Sequence, residues 1–172
     1  GVEVPNELDI INNIFKEIAS ITYDDGLEFN TTDMNIQRIS EDNENHGTRI
    51  HFTVKLGNVK DRLQIDIGFG DKIYKNPVEI DYPTFLEFEQ PLIFAYSIES
   101  AIAEKFEAIV SLGEATSRMK VFYDLLFFSE NKIFHSHELF EAVKLTFENR
   151  RTDFNYRFMI FEDNYKDNLS KQ

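Results

Sequence analysis

The sequence predicts an α+β fold, a segment of sheet followed by a run of helices, and three observations carry that prediction. Two stretches with an apolar period of two, 50–56 and 63–69, are joined by a short polar loop. A helical period takes over from Ser97 onward. A chain that is 42% hydrophobic and holds 17 Phe has ample material for a core. At 172 residues it can hold one domain with a small appendage. We expect a sheet domain over 1–95 and a helical C-terminal part over 96–172 packed on it.

Taken in order, residues 7–21 place Leu8, Ile11, Ile14, Phe15, Ile18 and Ile21 at helical spacing behind Asn6, the expected N-cap. Tyr23-Asp24-Asp25-Gly26 reads as a turn and 33–39 as a short strand, followed by a polar loop from Glu41 to Gly47. The strongest β signal comes next. Ile50, Phe52, Val54 and Leu56 alternate with polar residues, the chain turns near Gly57-Asn58, and Leu63, Ile65, Ile67 and Phe69 alternate again, which predicts an antiparallel hairpin with one apolar face. Pro77, Pro83 and Pro91 break residues 76–95 into edge strands and connectors. Helices are expected at about 98–112, 117–129 and 137–149, with Ser97 capping the first and Gly113 ending it. The tail from Phe154 to Gln172 is aromatic and then charged, and is expected to fray.

Composition narrows the function. With 18 Lys plus Arg against 31 Asp plus Glu, the net charge is -13, a field that repels nucleic acid and anionic membranes over most of the surface. A nucleic-acid substrate would need a local basic patch. The chain has no Cys, so disulfides and thiolate metal sites are excluded, which suits a reducing compartment. Its longest apolar runs, such as 125–128, are too short to span a bilayer, and the acidic first twenty residues do not resemble a signal peptide. The chain opens on Gly1 and almost at once enters a helix-like stretch, so removal of an upstream segment is expected.

A few polar residues stand where apolar ones are expected. Asp66 lies mid-strand on the polar side of the hairpin. It projects either as a metal ligand of the kind used in magnesium-dependent phosphoryl transfer or as an ordinary solvated carboxylate. Asp71 follows Gly68-Phe69-Gly70, a weak phosphate-approach signal that equally describes a turn. On the helix over 98–112, Ser100, Glu104, Glu107 and Ser111 form the expected solvent arc. Lys105 falls outside that arc, among Ala101, Ala108, Ile109 and Leu112, so it must snorkel, pair with a carboxylate or point into a cleft. Glu99 is one candidate partner. The next helix is apolar nearly all the way round, which predicts a central, buried helix. Asp124 within it needs compensation from Lys105 or Lys120. Arg118 and Lys120 form a small basic cluster that either binds phosphate or balances Asp124. His135 and His137 flank a helix start, where a metal role is disfavoured.

The runs 63–71, 78–83, 98–108 and 117–125, with the turn Tyr23-Asp24-Asp25-Gly26-Leu27 and Leu56-Gly57-Asn58-Val59, resemble the AbiEii/AbiGii-type nucleotidyltransferase toxins from about residue 7 to residue 150. The resemblance implies a DNA polymerase β-like nucleotidyltransferase fold. It implies Mg²⁺ as cofactor, a nucleoside triphosphate as donor, tRNA as acceptor in some members, and an antitoxin as protein partner. The setting it implies is bacterial phage defence in the cytosol, with no membrane. By the same resemblance Asp66 matches a metal-binding carboxylate. Lys105 matches the lysine of an Ala-Glu-Lys motif, and Asp124 the last Asp of an Arg-x-Lys-Asp-x-Tyr-Asp-Leu motif. Two departures follow. The family's opening Gly-Gly or Gly-Ser turn and Asp-x-Asp pair have no counterpart here, and Val121 stands where the family has Asp. The chain as given is therefore expected to be inactive, or to serve as a non-catalytic nucleotide- or antitoxin-binding module. Asp66, Lys105 and Asp124 are expected to converge on one cleft. A surface left uncovered by the missing opening part is expected to be hidden by the tail or by a second copy in a homo-oligomer.

Overall fold

The computed structural model describes residues 4–40, 46–113 and 119–155. Among them the elements run α1 (Leu8–Ala19), β1 (Leu27–Ser40), β2 (His46–Leu56), β3 (Val59–Ile67), β4 (Val78–Asp81), β5 (Leu92–Ala95), α2 (Ile98–Leu112), α3 (Met119–Asn131) and α4 (Ser136–Arg150). The fold is α+β with antiparallel sheets. The chain divides into two compact units, Gly1–Asp71 and Lys72–Gln172. The β4–β5 ladder therefore groups with the helices, whereas the sequence boundary near residue 95 marks only the change of period.

The first unit is built on the hairpin that the alternating pattern predicts. β2 and β3 are joined through Gly57-Asn58, and the left-handed backbone of Gly57 (φ 57°) suits the tight turn. From Leu56↔Val59 the ladder runs without a break to Thr48↔Ile67. β1 covers the other edge of β2 and is twice as long as the strand expected over 33–39. Its pairing slips between Asn30 and Asn35, where Asn30 Oδ1 accepts from Thr32 and Asp33 Oδ1 accepts from the Thr53 amide. This polar irregularity hides the period of two in the sequence. Ile11 of α1 packs with Ile50 and Phe52 at the centre of the core, and Phe15, Phe29, Met34, Ile36, Ile65, Ile67 and Phe69 pack around them. Asn6 does not cap α1. The N-cap is Glu7, without a side-chain bond, while Asn6 accepts from Arg38 through its carbonyl and from Thr48 through its side chain, tying the helix start to the sheet.

In the second unit α2 spans the expected residues, with Ser97 Oγ accepting from the Ser100 amide and Gly113 (φ 52°) ending it. Its orientation differs from the sequence reading. The buried stripe is Ser100, Ala103, Glu107 and Val110, with Ile109 beside it, while Leu112 is exposed. Two residues assigned to the solvent arc thus face inward. The reason is that both are satisfied there: Ser100 exchanges hydrogen bonds with the Tyr74 backbone, and Glu107 is held by α4. α3 corrects a second expectation. It has no buried residue. Val121, Phe122, Leu125 and Phe128 are half-buried on one side, and a second apolar stripe of Met119, Tyr123, Leu126 and Phe127 is open to solvent. A helix that is apolar all round need not be central when only one of its faces finds a neighbour.

Candidate functional site

Asp66 is positioned by the hairpin register, which sets it directly across from Arg49. The two side chains form a bidentate pair, Nε to Oδ1 at 2.7 Å and Nη2 to Oδ2 at 2.8 Å. Gln64, two residues away on the same face, donates to both carboxylate oxygens. The Arg49 hydrogen bonds hold the Asp66 carboxyl below the usual carboxylate range, and Asp66 in turn raises the Arg49 guanidinium. The Asp66 side chain remains 43% exposed. Its partner was legible in principle: counting outward from a two-residue turn at Gly57-Asn58 brings residue 49 opposite residue 66.

Lys105 and Asp124 meet in the second unit. Lys105 Nζ on α2 donates to Asp124 Oδ2 on α3 at 2.6 Å, with the side chains 30% and 24% exposed. Of the three readings open for Lys105, the structure realises the ion pair, with Asp124 and not Glu99 as partner. Lys120 lies on the exposed side of α3, and Arg118 is outside the described residues.

A more deeply buried carboxylate was missed. Glu107 accepts from Arg150 Nη1 at 2.8 Å and from Thr152 Oγ1 at 2.5 Å. Its side chain is only 4% exposed, so this cluster locks α2 to the end of α4. Nothing in the helical period distinguishes Glu107 from a solvent-facing residue, because the only signal is its cation 43 residues away. Near the start of α4, Lys75 pairs with Glu138 at 2.6 Å, which raises the Lys75 ammonium and lowers the Glu138 carboxyl. His135 and His137 contribute to that lowering only through their charge.

The Asp66–Arg49 pair bears on the magnesium ion that the sequence resemblance implies. Among the described residues no group of three or more His, Asp or Glu side chains gathers to hold a metal. Asp66, the expected ligand, has both oxygens engaged by a guanidinium, which a divalent cation would have to displace. No helix among the described residues is long and apolar enough to cross a membrane.

A family model described as nucleotidyl transferase AbiEii toxin, Type IV TA system, matches residues 2–171. No curated protein and no solved structure matches the chain.

Proposed function

The chain belongs to the AbiEii nucleotidyltransferase toxin family, and on that premise we propose that it contacts nucleotide but transfers none. The observation behind this reading is the engagement of Asp66. Placing a triphosphate and its two magnesium ions takes several carboxylate oxygens. Asp66 offers one carboxylate, already held by Arg49 and Gln64. In this reading Lys105 contacts triphosphate oxygens as a point charge. Asp124 takes one of its three N–H donors and fixes its direction. For the family's reaction we assign a nucleoside triphosphate as donor and tRNA as acceptor. An antitoxin opposes it, and phage defence in the bacterial cytosol is the setting.

A second reading, a non-catalytic module that holds nucleotide, is favoured by the Lys105–Asp124 pair, whose ammonium is fixed in direction yet still 30% exposed to a ligand. Calorimetry with the common triphosphates and Mg²⁺ tests both. Weak binding that Lys105→Met abolishes supports the first. Tight, saturable binding lost in the same variant supports the second. Binding that Lys105→Met leaves unchanged rejects the role given to Lys105 in either.

A further inference from the structure

The β4–β5 ladder has the features of an unfinished sheet. A two-stranded hairpin is marginal in water, and its unpaired edges are templates for another strand. Here β4 pairs only with β5 among the described residues, and none of its four residues is buried. The hairpin and its connection carry five large apolar side chains that are more than 60% exposed: Phe85, Leu86, Phe88, Leu92 and Phe94. Exposed apolar surface on this scale, concentrated in one short segment, marks an interaction site.

Charge identifies the occupant. From Asn76 to Glu104 there is no Lys, Arg or His, while Glu79, Asp81, Glu87, Glu89, Glu99 and Glu104 are all acidic. The register places Glu79 across from Phe94 and Asp81 across from Leu92 on one face, and Ile80 across from Ile93 on the other. A second copy offering the same edge would bring carboxylates against carboxylates, which disfavours self-pairing. A phosphate backbone is repelled for the same reason. We propose that the outer edge of β4 accepts an extended strand of another polypeptide, with Lys or Arg side chains beside Glu79 and Asp81 and aliphatic side chains beside Val78 and Ile80. Main-chain hydrogen bonds would hold the strand, and the alternating side chains would select it. Pro77 and Pro83 bracket β4 and limit the paired stretch to about five residues. The inference stands apart from the nucleotide reading, since it uses none of its residues.

The test titrates the full chain with a fluorescent peptide of alternating Lys and Val, its Lys→Glu counterpart, and a version with Pro at the central position. The expected result is saturable binding of the Lys peptide, at least tenfold weaker binding of the Glu peptide, and loss of binding by the Pro peptide. A Glu79→Lys/Asp81→Lys variant, whose exposed positions leave folding intact by circular dichroism, should reverse the preference to the Glu peptide. Equal binding of the Lys and Glu peptides, or full binding of the Pro peptide, overturns the proposal. So does sedimentation showing a dimer that Ile80→Asp dissociates, because a second copy would then cover the edge.

Discussion

The two units each hold an Arg–carboxylate pair, and the pairs differ in everything except chemistry. Arg49–Asp66 lies across a hairpin on an open sheet face, its carboxylate 43% exposed. Arg150–Glu107 joins two helices with its carboxylate 4% exposed. Water competes for the first and is excluded from the second, so the first is cheap to break and the second is not. Lys105–Asp124, with a carboxylate 24% exposed, falls between them. Exposure also separates roles. A pair that water can reach is one a ligand can reach, while the buried pair serves to hold α4 on α2.

The largest effect should come from the buried pair. Arg150→Met leaves the Glu107 carboxylate without its cation, at a cost of about 3 kcal/mol. Replacing both residues, as Glu107→Leu/Arg150→Met, should recover most of that loss. Urea denaturation followed by circular dichroism reads both variants, and a single variant that costs no more than its double would show that the buried charge is not what matters.

How much could be read from the sequence follows the same division. β2, β3 and α2 were legible because their periods are regular, as were Ser97 and Gly113 as the limits of α2. β1 was half-hidden, because the irregular stretch from Asn30 to Asn35 breaks its alternation. Lys105 and Asp124 stood out as charges in apolar surroundings, and they do pair. Glu107 and Ser100 did not stand out. A buried polar residue whose partner lies far along the chain looks the same in sequence as a solvated one. α3 misled in the opposite direction, since apolar composition does not tell which face is covered.

Lys105→Met should cost less than the Arg150 variant, roughly 1–2 kcal/mol, because Asp124 is left without its charged partner but keeps partial access to water. Thermal denaturation of Lys105→Met beside Lys105→Met/Asp124→Leu sharpens the comparison. The double variant should regain stability if the unpaired carboxylate is the cause.

Asp66→Asn should change stability least, near the limit of detection. Its pH signature is nonetheless definite. Because Arg49 lowers the Asp66 pKa in the folded chain, the small contribution is present above the unfolded value of about 3.9. It is lost as pH falls through the lower folded value. Carboxyl NMR titration should find Asp66 below the ordinary Asp range, and an Arg49→Gln variant should return it there. An Asp66 that titrates normally in the parent chain would mean that the bidentate pair does not persist in solution.

We proposed above that this nucleotidyltransferase-family chain, with Asp66 held by Arg49 and Gln64, transfers no nucleotide. A transfer assay measures that most directly. The chain is incubated with Mg²⁺, each α-labelled triphosphate in turn, and total tRNA, and the RNA is resolved on a denaturing gel. No labelled tRNA is expected above the background of an Asp66→Ala control. Label that appears with the parent chain and disappears in that control would contradict it, showing that Asp66 leaves Arg49 to serve a metal and that the remaining ligands come from residues not recognised as such.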